Sequence, residues 1–315
     1  MTIVGRPVLA EVELGQVPFW RQFLRGFSQC AFQANEITGL VFVVAVAVFS
    51  WEMAAFYVIS VLLGTLTAKA LKADRTLLDL GLFGFNSGLM GLALGNFFQP
   101  SAALWFFMVI EAVIVAAIAV AMARWLPIPF LAAPFILMFW VTWLVDRYAP
   151  IIKVDLGAFP DEPIQWASAV ITAAGAALFT PLLLPGLLFL LGIAISNWRH
   201  AVVAALGAVI AVSLAAQAGV VGGSINSGFV GFNAVLAAVA TYAIVAADLR
   251  LAALGALLAT WFFSYINRNA PVPALASGFV LSVWVIIFVG WLDGHFREKE
   301  PTPLEQAEVD AFEHG

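Results

Sequence analysis

Apolar residues along this chain fall into tracts of about twenty, the length needed for a helix to cross about 30 Å of hydrocarbon, divided by short polar or broken stretches. Such tracts run near residues 29–50, 53–71, 80–98, 102–123 and 128–145, and a second set near 166–197, 200–218, 226–247, 249–266 and 274–292. The pattern predicts an all-α polytopic membrane protein with about five crossings in each half. Gly or Pro interrupts several tracts, which predicts half-helices or re-entrant segments. Irregular backbone is tolerated at membrane depth where it lines a cavity or is buried in protein.

The two halves repeat one another. A shift of 147 residues superposes Phe32 on Phe179, Gly39 on Gly186, Trp51 on Trp198, Gly84 on Gly231, Phe85 on Phe232, Asn86 on Asn233 and Leu89 on Leu236. Further on, a shift of 144 superposes Pro127 on Pro271, Pro129 on Pro273, Phe135 on Phe279 and Trp140 on Trp284. Matched Gly, Pro, Trp and Asn at a nearly constant offset point to duplication. Cytoplasmic loops favour Lys and Arg; Lys69, Lys72 and Arg75 lie between the second and third tracts, whereas the matching stretch Gln217–Ser227 has no charge. Equivalent loops are therefore expected on opposite faces, making the second half an inverted copy of the first. The expected layout is a cytoplasmic lead-in at 1–18, a first repeat at 19–146, an external linker at 147–164, a second repeat at 165–292 and an acidic cytoplasmic tail at 293–315.

Composition narrows the classes. Of the 315 residues 63% are hydrophobic and 10% charged, against roughly 45–50% and about 25% in soluble domains. The formal net charge of −5 leaves no basic surface for nucleic acid. One cysteine, Cys30, and three histidines supply neither a disulfide framework nor a metal cluster, so no cofactor is expected. Nucleophile triads and phosphate-binding loops are absent from the sequence, and an enzyme is not expected.

Four features carry candidate chemistry. The segments Leu82–Gly91 and Phe229–Ala238 each place a glycine before an aromatic-Asn pair (Gly84, Phe85, Asn86; Gly231, Phe232, Asn233). Glycine lets a helix start or bend inside the membrane, and the amide can satisfy backbone groups freed there. Facing each other, Phe85 and Phe232 would form two parallel apolar walls, with Leu89 and Leu236 one turn along; the plainer reading is helix-packing glycines with core aromatics. In the first tract Gln29, Phe32, Gln33 and Glu36 follow helical spacing and are expected on one polar face, with Glu36 either inside or at the interface. The proline pairs of Pro127–Phe135 and Pro271–Phe279 are expected to end one helix and begin another. Glu111 lies within an apolar tract, either as a proton or cation site or as a buried carboxyl bonded to a neighbouring helix or subunit.

Together the run Ser28–Gly39 (SQCAFQANEITG), the twin FGFN/VGFN segments and the two PxPxL segments resemble the urea transporter family over nearly the whole chain, from about Arg21 to Leu292. The resemblance implies a homotrimer in a bacterial inner membrane, each protomer an inverted repeat with five spanning helices and a tilted pore helix per half. Urea would pass passively between phenylalanines while its amide hydrogens meet a ladder of oxygens. By position it implies that Gln29 supplies an oxygen at one mouth and that Phe85, Phe232, Leu89 and Leu236 form the slots, with Phe32 and its match Phe179 along the pathway. At the expected pore centre Ala132 and Ala276 stand where the family has threonine, and Ala176 stands opposite Gln29. Another small neutral solute, or less readily ion-coupled transport through Glu111 or Glu36, are the alternative functions.

Overall fold

The computed structural model describes residues 14–155 and 157–296. The expectations for the first thirteen residues and for the tail from residue 297 lie outside the described residues. Apart from one isolated bridge between Phe98 and Lys153, regular structure among the described residues is helical. The first half runs α1 (Phe19–Ser28), a 3-10 turn (Gln29–Ala31), α2 (Glu36–Phe49), α3 (Trp51–Ala70), α4 (Arg75–Asp79), α5 (Gly84–Phe97), α6 (Ala102–Trp125) and α7 (Ala133–Val145). The second runs α8 (Trp166–Ala176), α9 (Leu183–Gln217), α10 (Gly222–Asn226), α11 (Phe232–Ala240, continued as a π-turn to Val245), α12 (Leu249–Asn269) and α13 (Ser277–Phe296).

Five of these helices (α3, α6, α9, α12 and α13) are long and apolar enough to cross a membrane, and α1 with α2, bent by 69°, counts as a sixth if the pair is one span. Other expected tracts form shorter helices, as the Gly and Pro interruptions anticipate. The 14 residues of α5 rise about 21 Å, and α7 and α8 are shorter still. The boundary expected between 166–197 and 200–218 falls where the 35-residue α9 breaks at the non-helical Asn197, but the first of these tracts is itself interrupted, since α8 ends at Ala176.

The first tract is also corrected. The chain does not run as one helix through 29–50, because the turn at Gln29–Ala31 tightens and Phe32 takes a left-handed φ of 60°. Helix α2 restarts at Glu36, capped by the Asn35 side chain accepting from the Thr38 amide at 3.0 Å; a local cap of this kind competes with helix continuation. Gln29, Phe32, Gln33 and Glu36 therefore do not share one helix face.

The repeat reappears in the backbone. Left-handed residues come in matched pairs, Phe32 and Phe179 (φ 60° and 57°), Gly81 and Gly228 (82° and 76°), Leu131 and Leu275 (50° and 47°). Extended breaks after α2 and within α9 match as well, at Ser50 (φ −156°, ψ 120°) and Asn197 (φ −154°, ψ 108°). Contacts between halves are reciprocal: the Trp140 indole donates to the Pro273 carbonyl at 2.9 Å and Trp284 to the Pro129 carbonyl at 2.8 Å. Phe42 stacks on its own counterpart Phe189 at 4.7 Å between centroids.

Small residues bring the inner helices together. A Cβ at Gly84 would lie 2.7 Å from Thr65 Oγ1, and one at Gly88 2.7 Å from the Tyr57 ring, so α5 packs on α3 through glycine, as lipid-embedded helices commonly do. On α6 the buried face carries Leu104, Met108, Glu111 and Val115, while Phe106, Val109, Ile110, Val113 and Ile114 are exposed and form an apolar outer stripe suited to lipid.

Candidate functional site

A cavity of about 400 Å³ opens at one end of the bundle, and its lining includes Gln29, Phe32, Phe85, Phe130 and Leu131 from the first half with Ala243 and Ile244 from the second. None of its lining residues is charged. Gln29 sits on the 3-10 turn and donates its side-chain N–H to the Leu80 carbonyl at 2.7 Å. That bond uses the amide N–H, and the side-chain oxygen of this cavity residue is an acceptor. Phe32, held left-handed one residue past the turn, sets its ring edge-on to Phe279 of the other half at 5.9 Å. Phe85 begins α5 and stacks near-parallel with Phe130, at 6.4 Å and 16°.

The left-handed Leu131 is stabilised by Asn86. Its amide N–H donates to the Leu131 carbonyl at 2.9 Å, and its oxygen accepts the Phe135 amide at 3.2 Å. Asn233 does the same for Leu275 and Phe279, at 2.8 and 2.9 Å. Both asparagines are fully buried, and each ties the extended proline segment to the first turn of the helix that follows it. Gly84 and Gly231 permit close packing; a Cβ on Gly231 would come within 2.6 Å of Ala173.

Of the two expected walls, Phe85 lines this cavity and Phe232 does not. Phe85 shares it with Phe32 and Phe130, whereas Phe232 packs edge-on against Phe229 and Phe263, at 6.4 and 5.9 Å. Each ring opens a helix of its own half and turns toward that half's neighbours, a long-range outcome that residue spacing does not encode. The Pro129 and Pro273 carbonyls accept the two tryptophan indoles. Ala132, at the start of α7, and Ala276, just before α13, are buried. Leu89 and Leu236 are buried one turn into α5 and α11. In the second half Phe179 meets Phe97 at 6.1 Å and Phe135 at 6.4 Å, and the linker lies against the end of α5, where Val154 donates to the Phe97 carbonyl at 2.8 Å.

Neither glutamate lines the cavity. Glu36 is buried and accepts from Arg21 Nε at 2.6 Å and Arg25 Nε at 2.8 Å, so it does not reach for an interface. Arg25 also donates to the Asp79 carbonyl at 2.9 Å, next to the Leu80 carbonyl that holds Gln29. Sequence reading missed these arginines because they precede the first apolar tract. Glu111 accepts from Thr142 on α7 at 2.8 Å, and neither shift sets an acid against it in the second half, where Gly255 and Leu258 stand. It is a carboxyl bonded within the bundle, the plainer of its two readings.

Long apolar helices with a lipid-suited outer face define a multi-pass membrane protein, and a cavity with no charged lining residue suits one of the transporter class. The profile of the urea transporter family matches residues 20–290, and the chain belongs to that family. A curated relative, Urea transporter 1 of Mus musculus, is 32% identical over 87 residues, which is 28% of this chain and 23% of that protein. The chain thus aligns with about a quarter of that relative's length.

Proposed function

We propose that this protein conducts urea, or a closely related small neutral amide, passively across the membrane through a channel-like path in each protomer. The observation that carries this is the cavity: aromatic rings and the tethered Gln29 amide line it, with no charged side chain. Flat rings suit the faces of a planar amide, and edge-on acceptors replace the water lost by its N–H groups. An ion entering an apolar passage loses far more hydration free energy than a neutral amide does. Membership of the urea transporter family supports the same substrate.

The reading extends to architecture. Reciprocal contacts such as Trp140–Pro273 with Trp284–Pro129 are what a twofold relation between halves produces, and they support an inverted repeat with residues 19–146 and 165–292 as its copies. The second mouth then lies near Phe179 and Phe232, and Leu89 and Leu236 stand on the path between the two. Lys69, Lys72 and Arg75 support a cytoplasmic first mouth and cytoplasmic termini, with the linker 147–164 outside. A homotrimer in a bacterial inner membrane completes the proposal. Stopped-flow uptake of urea, acetamide, formamide and water into proteoliposomes tests it; urea and the amides should enter well above the rate of empty vesicles. A chain that passes water alone would be a different channel.

A further inference from the structure

Phe130 did not stand out in the sequence, yet its backbone is held on both sides. The three consecutive carbonyls around it are all occupied. Pro129 accepts the Trp284 indole at 2.8 Å, Phe130 accepts the Ala133 amide at 3.0 Å, and Leu131 accepts the Asn86 amide at 2.9 Å. This stretch therefore offers the cavity little backbone oxygen and chiefly a ring. The Phe130 ring is 16° from parallel to both Phe85, at 6.4 Å, and Phe83, at 6.1 Å, and Phe130 lines the cavity beside Phe32 and Phe85.

The second half builds the same bracket without the ring. Pro273 accepts the Trp140 indole, the Ala274 carbonyl accepts the Ser277 amide at 3.0 Å, and Leu275 accepts the Asn233 amide. Ala274 stands where Phe130 does, and Val230 where Phe83 does. Phe232 has ring neighbours of its own in Phe229 and Phe263, but the bracketed position carries a ring in the first half only, a difference that packing of the repeat alone does not explain.

Resting on the transport reading above, we propose that Phe130 is a specificity-determining residue: it holds Phe85 in plane and makes the first mouth, not the second, the place where flat solutes are selected. A ring wall favours a planar amide over a bent polyol of similar size, because only the flat molecule can lay its face along it. Phe130→Leu keeps an apolar side chain of similar bulk and removes the flat face. Phe130→Tyr keeps the face.

The test is stopped-flow permeability of proteoliposomes to urea, formamide and glycerol, at matched protein amount and with thermal melting recorded for each variant. Phe130→Leu should lower the urea-to-glycerol and formamide-to-glycerol ratios by roughly three- to tenfold, the scale of a lost aromatic face contact, and Phe130→Tyr should preserve both. Loss of folded protein lowers all three fluxes together and leaves the ratios intact, so a merely structural role does not mimic this result. Unchanged ratios in Phe130→Leu, or an equal fall in both variants, would overturn the proposal. Wild-type flux separates the two failures: with no solute flux in wild type the transport reading falls and this inference with it, whereas normal wild-type selectivity with unchanged variant ratios removes Phe130 alone.

Discussion

Asn86 makes two buried hydrogen bonds with one amide, and replacing it by aspartate perturbs one of them selectively. Asp has the same shape and retains an oxygen for the Phe135 amide, but it sets an acceptor against the Leu131 carbonyl, now 2.9 Å from an N–H donor. Asn86→Leu removes both partners. Each buried backbone group left unpaired costs roughly 1–3 kcal/mol, so the leucine variant should lose about 2–6 kcal/mol. The aspartate variant should lose a comparable amount, because it adds either a buried charge or a proton needed to avoid one. At roughly 2–4 °C per kcal/mol for domains of about 150–250 residues, the melting temperature should fall by at least about 4 °C. The protein's 11 tryptophans allow melting to be followed by intrinsic fluorescence in detergent. If Asn86→Asp melts within about a degree of wild type, the amide is filling space and is not what holds Leu131 left-handed.

Glu36→Gln should also destabilise, by roughly 3–5 kcal/mol, since it removes the carboxylate shared by the buried Arg21 and Arg25; chemical denaturation measures the loss, and an unchanged midpoint would count against the pairing. In a Cys30→Ser background, Lys72→Cys should label from the cytoplasmic side and Ala218→Cys, on the matching loop, from outside; labelling from one side only would contradict the inverted repeat. Ala132→Thr with Ala276→Thr should raise urea flux relative to methylurea flux, as added hydroxyls replace a hydrogen bond worth about 0.5–1.5 kcal/mol. An unchanged ratio would place these alanines away from the selectivity barrier.

The class of fold was legible because bilayer thickness sets a length that twenty-residue apolar tracts reveal directly. Asn86 and Asn233 were legible as structural groups of the broken helices, since a glycine-aromatic-Asn cluster recurring in both halves has few other uses. The break at Phe32 was hidden: helical periodicity passes straight through it, and its left-handed residue is a phenylalanine where glycine would have announced a turn. Phe130 was hidden for a different reason. Its importance lies in carbonyls held by Trp284 and Asn86, one of them 154 residues away in the chain, and no local pattern records such partners. Glu36 read ambiguously because its arginines lie upstream of the tract that contains it.

The central claim, passive conduction of a small neutral amide, is tested most directly by following urea across proteoliposome membranes with and without an imposed proton or sodium gradient. The account predicts fast equilibration toward equal concentration on both sides, far above empty vesicles and unaffected by either gradient. Urea accumulation beyond equilibrium that depends on a gradient, or no urea flux above empty vesicles, would contradict it.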